Sequence, residues 1–328
     1  MKAIMFSTRS YEPERYQRIN QARHSLVMLS DRLDQDTLKL AEGATAVIVF
    51  VSDDLSSEVL NGLAKCGVRL IICRSAGVDH VDLAAAKALG IAVANCPQYS
   101  PAAVAEFAVG LLLALNRKIV RAHQQVLEHN FTVDALLGSD INQMTVGIIG
   151  TGHIGAAYAR IMAGFGARLL ALDPIENPEC TALGVSYCSL EKILTEADAI
   201  SLHAPLLPST QHIINRESIL NMKAGMLLVN TGRGALVDTP AVIEGIESGQ
   251  ISGYAADVYE YERGVFFEDY SHKELNDALL IKLLAMPQVL ITPHQAFFTE
   301  TALQNMAGNV FENLDAFERT GTPAYLVC

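Results

Sequence analysis

Apolar and polar positions follow two rhythms along the first hundred residues. Short runs at 2–6, 25–29, 46–50, 69–73 and 91–94 read as strands. Several are apolar throughout, the pattern of a parallel sheet covered on both faces. Between them, 12–21, 56–65 and 82–89 carry helical periodicity. Strands alternating with helices predict a doubly wound α/β sheet.

The rhythm breaks at Cys96-Pro97-Gln98-Tyr99-Ser100-Pro101, where Ser100 can cap a helix that has Pro101 at its first position. The pattern predicts one long helix from Pro101 to about Glu128, strongly apolar up to Leu115. Such a helix could cross between domains or pack against a partner subunit. A second series then begins, with strands expected at 145–149, 168–172, 199–202, 226–230, 254–258 and 289–292. Helices are expected to start near His153, Ser189, Arg216 and Thr239, and a last one to cover 298–317. The two series share an architecture without a sequence repeat.

Composition narrows the possibilities. A chain of 328 residues suggests two domains. With 24 basic and 36 acidic residues the net charge is −12, which argues against nucleic acid or an anionic membrane as partner. Half the residues are hydrophobic and 18% are charged, the balance of a compact globular chain. The longest nearly pure apolar run, Phe107 to Leu115, is about half of what a membrane span needs. The first residues turn polar too soon for a signal peptide. Six cysteines show no C-x-x-C pair and no metal-ligand spacing, so they read as reduced thiols of a cytoplasmic protein with no metal site.

The first chemical motif is Gly150-Thr-Gly152-His153-Ile154-Gly155, a G-x-G-x-x-G between an apolar strand and a helix. Gly150 permits the tight turn, Gly152 lets backbone approach a pyrophosphate, and Gly155 lets helix and strand pack closely. The helix N-terminus adds N–H donors and a dipole that favours the diphosphate. At the end of the next strand, Asp173 stands where an acidic residue would accept the adenosine ribose hydroxyls. A carboxylate there repels a 2′-phosphate, and Pro174-Ile175-Glu176 offers no arginine to receive one. The reading is NAD rather than NADP.

Arg233, Glu262 and His294 each follow an expected strand. Ligands of open α/β sheets bind outside the carboxyl ends of strands, so the three can converge on the nicotinamide end of a site. Reduction of a 2-keto acid needs a cation for the carboxylate, a proton donor for the developing alkoxide and a group that keeps the donor protonated. Arg233 can fork onto a carboxylate. An imidazole is the side chain suited to exchanging a proton near neutral pH, which fits His294 for proton delivery. Glu262, bonded to the other imidazole nitrogen, would favour the imidazolium and fix its orientation.

At these residues the chain resembles the D-isomer-specific 2-hydroxyacid dehydrogenases, and within them the fermentative D-lactate branch. The likeness runs through Arg74-Ser-Ala-Gly-Val-Asp-His-Val-Asp82, Pro97-Gln-Tyr-Ser-Pro-Ala-Ala-Val-Ala-Glu106, the glycine turn, Asn230-Thr-Gly-Arg-Gly-Ala-Leu-Val-Asp238, Asp257-Val-Tyr-Glu260 and His294-Gln-Ala-Phe-Phe298. Phe266-Phe267-Glu268-Asp269 favours the D-lactate branch. The resemblance implies that Arg233 binds the substrate carboxylate, that Glu262 pairs with the histidine, and that His294 is the acid/base. It also implies that backbone at Ala76 and Gly77 grips the carboxylate near Tyr99, and that Phe50 and Phe297 crowd the substrate methyl. For NAD it adds His153 and Ile154 at the diphosphate, Ala204 and Pro205 beside the adenine, Thr210, Thr231 and Gly232, and Asp257 at the carboxamide.

The implied architecture is a Rossmann NAD-binding domain (100–298) inserted in a flavodoxin-like substrate domain (1–99 and 299–328). The implied activity is reduction of pyruvate to D-lactate by a homodimer or homotetramer. Alternatives are a reductase for a bulkier 2-keto acid, for glyoxylate or for hydroxypyruvate, and a non-catalytic NAD-sensing scaffold. One departure is Phe107, at a position where close relatives often carry histidine.

Overall fold

The structure, a computed structural model, describes residues 1–328. The chain divides into two compact units, one formed by Met1–Ser100 with Phe298–Cys328, the other by Pro101–Phe297.

The smaller unit holds five strands, β1 (Lys2–Met5), β2 (Ser25–Met28), β3 (Ala46–Val49), β4 (Leu70–Cys73) and β5 (Ala92–Ala94). They pair in parallel in the order β2-β1-β3-β4-β5, the flavodoxin-like order. Every residue of β3 and β4 is buried, which explains their unbroken apolar runs. The helix Glu300–Thr320 brings the end of the chain back to this sheet. Its fully buried Asn313 donates to the Asn95 carbonyl at 3.0 Å and accepts the Tyr325 N–H at 2.8 Å. The last residues then pair with β5, with Val327 donating to the Val93 carbonyl at 2.7 Å.

Under the carboxyl edge of this sheet lies a buried polar network. Arg74, entirely enclosed, forms an ion pair with buried Glu12 and donates to the Phe6 carbonyl at 2.7 Å. Asp53 accepts from the Ser7 hydroxyl at 2.7 Å, the Leu33 N–H at 2.8 Å and the Phe50 N–H at 2.6 Å. Burial pushes the Asp53 carboxyl up from its ordinary value, and the three donors oppose that shift.

The larger unit holds seven parallel strands, β6 (Thr145–Ile149), β7 (Arg168–Leu172), β8 (Ser186–Tyr187), β9 (Ala199–Leu202), β10 (Met226–Asn230), β11 (Ile251–Ala256) and β12 (Val289–Ile291). Their order is β12-β11-β10-β9-β6-β7-β8, a Rossmann sheet with one added strand, reversing direction between β6 and β9. The α/β class and the Rossmann arrangement agree with the expectation from the sequence.

Two local expectations fail, and three short elements were not foreseen. The single helix to residue 128 is two helices, Pro101–Asn116 and Ile119–Leu127, because Lys118 turns left-handed at φ 51°. The Asn116 side chain fixes that break, donating to the Ser139 carbonyl at 2.7 Å and accepting the Ser139 N–H at 2.9 Å. The first of these helices packs within the larger unit, on the helix His153–Gly164. The strand expected at 254–258 begins at Ile251, its start hidden by a register shift against Met226 and Leu227. Two-residue β8 and the helices Pro178–Ala182 and Ala278–Leu284 carried no readable signal.

Replacing Glu12 by alanine leaves the buried Arg74 guanidinium uncompensated. Stability should fall by about 3 kcal/mol, read as a lower urea midpoint; an unchanged midpoint would show that the pair contributes nothing.

Candidate active site

The glycine turn between β6 and the helix His153–Gly164 is held by contacts that leave no room for side chains. At Gly150, φ is +93° and a Cβ would lie 2.6 Å from the Ala204 nitrogen. A Cβ at Gly155 would lie 1.9 Å from the Gly150 carbonyl oxygen. Gly152, by contrast, has no atom within 4 Å of where its Cβ would stand, so the turn presents bare backbone to open space. His153 and Ile154 follow as the first two residues of the helix.

Asp173, just past β7, accepts the Thr151 N–H at 2.7 Å and the Ile175 N–H at 3.0 Å. One carboxylate therefore ties the glycine turn to the loop after β7 and remains partly exposed. Ala204 is buried and Pro205 exposed after β9. The Thr210 hydroxyl closes that loop by donating to the Pro205 carbonyl at 2.6 Å. Beside them the His203 ring lies tilted at 45° to Tyr158 with centroids 4.8 Å apart, and burial pushes its imidazole down to about 3, so the ring is neutral near pH 7.

After β10 the Asn230 amide staples the next turn, donating to the Arg233 carbonyl at 2.9 Å and accepting the Gly232 N–H at 3.1 Å. The buried Thr231 hydroxyl has no protein partner. Arg233, half-buried, donates from Nη1 to the Gly232 carbonyl at 2.9 Å. Gly234 presses directly on the neighbouring turn, where a Cβ would fall 2.1 Å from the Tyr259 carbonyl carbon. That contact sets the Arg233 turn against the one bearing Glu262.

Glu262 accepts the Tyr259 N–H through Oε2 at 2.9 Å, and its Oε1 lies 2.9 Å from His294 Nδ1. His294 has left-handed backbone, φ 55°. Its turn is anchored by Asp257, 1% exposed, which accepts the Thr292 hydroxyl at 2.6 Å, the Gln295 N–H at 2.9 Å and the Ala296 N–H at 2.7 Å. Burial pushes the Asp257 carboxyl up, against those three donors and the nearby His294. A contact from Asp257 to a nicotinamide carboxamide would share this carboxylate with three internal donors. Phe297, nearly buried, is edge-on to His294 at 6.5 Å.

In the smaller unit the expected substrate residues also follow strand ends. Phe50 follows β3, and its ring lies 5.1 Å under the Arg74 guanidinium. Ala76 and Gly77 follow β4, their carbonyls accepting from Asn95 at 2.7 Å and Ser75 at 2.6 Å. Tyr99 follows β5, its carbonyl accepting from Asn305 at 2.8 Å. Phe107 is partly buried in the larger unit, packed against a core cluster that includes Ile148 and Ala156.

Sequence reasoning missed the tasks of Gly234, Asn230 and Asp257 as clamps, and of His212, which pairs with Glu260 at 2.6 Å. Their signal was spatial. Nothing in the chain order tells that Gly234 lies against Tyr259.

The family model for the NAD-binding domain of D-isomer-specific 2-hydroxyacid dehydrogenases matches residues 109–296. The chain belongs to that family. It is 43% identical over 323 residues to the D-lactate dehydrogenase of Escherichia coli, covering 98% of each chain. The solved pyruvate reductase of Chlamydomonas reinhardtii superposes with a TM-score of 0.90 at 40% identity, over 97% of this chain and 96% of the other. The NAD-complexed D-isomer-specific 2-hydroxyacid dehydrogenase of Lactobacillus delbrueckii superposes with a TM-score of 0.83 at 32% identity, over the full length of both. This dehydrogenase is an NAD-dependent oxidoreductase acting on small 2-hydroxy and 2-keto acids. The open face of Gly152 and the unpartnered Thr231 hydroxyl fit such a dinucleotide. No helix is long and apolar enough to cross a membrane.

Replacing Gly234 by alanine should displace the 259–262 turn and lower stability by about 1–3 kcal/mol. An unchanged melting temperature would show that the Gly234–Tyr259 contact yields without strain.

Proposed function

We propose that this dehydrogenase reduces pyruvate to D-lactate. The observation that carries the reading is the Glu262–His294 pair at 2.9 Å, on turns adjoining the one that bears Arg233. Bound NADH supplies the hydride to the carbonyl carbon. Arg233 forks onto the substrate carboxylate and polarises the adjacent carbonyl. His294 donates its Nε2 proton to the carbonyl oxygen, while Glu262 keeps Nδ1 engaged and the ring oriented. For the reverse oxidation, His294 Nε2 takes the hydroxyl proton.

From the smaller unit we assign backbone at Ala76 and Gly77, with Tyr99, to the carboxylate. Phe50, and from the larger unit Phe297, are assigned to the substrate side chain, where aromatic residues favour a methyl group. For the cofactor we assign Gly150, Gly152, His153, Ile154 and Gly155 to the diphosphate, Asp173 to the adenosine ribose, Ala204 and Pro205 to the adenine, and Thr210, Thr231, Gly232 and Asp257 to the remaining contacts. The similarity to proteins named D-lactate dehydrogenase and pyruvate reductase supports pyruvate as substrate. The six free thiols and the use of NADH suit the reducing cytoplasm, where we place the reaction.

Replacing His294 by alanine should lower kcat for pyruvate reduction by about a thousandfold, within the range of general acid catalysis, with NADH affinity kept. Nearly unchanged turnover would remove His294 from the acid role. Comparing kcat/KM for pyruvate, 2-ketoisocaproate and hydroxypyruvate tests the substrate, and a preference for either of the latter would overturn pyruvate.

We assign the oligomer to the helix Ile119–Leu127, which buries none of its residues. Leu127, Phe131, Val133 and Leu137, close together in sequence, are all about two-thirds exposed or more, apolar surface of the kind a subunit interface covers. Light scattering should give a dimer or tetramer for the native chain and smaller particles for Leu127→Asp. A native monomer would overturn this assignment.

A further inference from the structure

Two aromatic rings flank the His294 imidazole. Phe297 belongs to the same turn and meets it edge-on. Phe267 comes from another segment, the loop that follows the Glu262 turn, and its ring centroid lies 5.5 Å from the imidazole with 39° between planes. None of the roles assigned above uses Phe267.

The backbone at Phe267 is left-handed, φ 68°, as it is at His294, φ 55°. A bulky side chain is an outlier in that region. Such strain persists only where the surroundings enforce it, and it gathers at functional sites. Here the enforcing contacts lie on either side. Phe266 is buried in the core and stacked on Tyr259 at 6.3 Å, and the Tyr259 hydroxyl donates to Asp277 at 2.9 Å. The Glu262 carbonyl accepts the Val265 N–H at 3.0 Å and the Phe266 N–H at 2.9 Å. Glu262 thus grips the edge of the imidazole with its carboxylate and, through its carbonyl, the loop that sets a ring against the imidazole.

A single hydrogen bond at Nδ1 fixes one edge of the ring, and the final torsion of a histidine is intrinsically broad. A second contact, on the face, is needed to hold the plane. We propose that Phe267 is a positioning residue for the acid–base step: its ring closes one face of the His294 imidazole, holding the plane set by Glu262 and keeping water from that face, so that Nε2 exchanges its proton with substrate rather than solvent. This rests on the assignment of His294 as the acid/base.

Three substitutions separate the ring from the backbone that presents it. Phe267→Ala removes the ring and keeps the strained φ, Phe267→Gly removes both, and Phe267→Tyr keeps the ring. With Ala and Gly, kcat for pyruvate reduction should fall about tenfold to a hundredfold, the loss expected when a catalytic group is misplaced. KM for pyruvate and the Kd for NADH should stay within about threefold of native, as ground-state binding is untouched. Phe267→Tyr should restore kcat, and Phe267→Gly should melt no lower than Phe267→Ala. The solvent deuterium isotope effect on kcat should rise in the Ala and Gly variants, because proton delivery has become slower.

Native kcat in Phe267→Ala would overturn the proposal. So would recovery in Phe267→Gly of the rate lost in Phe267→Ala, since the backbone alone would then be responsible. In a His294→Ala background the Phe267→Ala change should have no further effect, and an equal further loss would place its action elsewhere. An active His294→Ala enzyme would sink the acid/base assignment itself, whereas an inactive His294→Ala with a native-like Phe267→Ala would sink only this inference.

Discussion

The arrangement of the larger unit depends on one buried carboxylate. Asp257 leaves the sheet at the end of β11 and gathers the Thr292 hydroxyl and the N–H groups of Gln295 and Ala296. These donors satisfy a charge that burial would otherwise penalise. They also fix the residues on both sides of His294, forcing its backbone into the left-handed region and directing its imidazole toward Glu262. Arg233, Glu262 and His294 stand on three separate turns, and clamps of this kind hold those turns in place.

The other clamps follow the same logic. Asn230 closes the Arg233 turn, Gly234 lets that turn touch the Tyr259 backbone, and Glu260 accepts the Thr239 N–H at 3.1 Å while pairing with His212. Gly234 and Glu260 each join the carboxyl end of one strand to that of its neighbour. Function in an open α/β sheet is concentrated at that edge because it is where loops from consecutive parallel strands come side by side.

The acidic balance of the chain takes on a different meaning beside this geometry. A net charge of −12 does not conflict with binding a dianionic cofactor and a carboxylate acid. The groups we assign to these anions are local: the bare amides at Gly152, the first turn of the following helix, and Arg233. Overall charge sets which polyanions stay away, and it has little influence on a small anion inside a site.

By itself the sequence determined the α/β class, the cofactor and the family. The strands at 145–149, 168–172, 199–202 and 226–230 have the expected bounds, since a strand covered on both faces is apolar along most of its length. The glycine turn was equally legible, because backbone packed as closely as at Gly150 and Gly155 leaves no room for a side chain. Only the tertiary structure decided what depends on distant partners. The break at Lys118 answers to a loop around Ser139, and β8 exists because β7 offers it an edge. The buried role of Asp257 answers to a turn 35 residues on, and the Phe267 ring meets a histidine from a different loop. Local periodicity encodes what a residue buries, but not which remote group will be there to meet it.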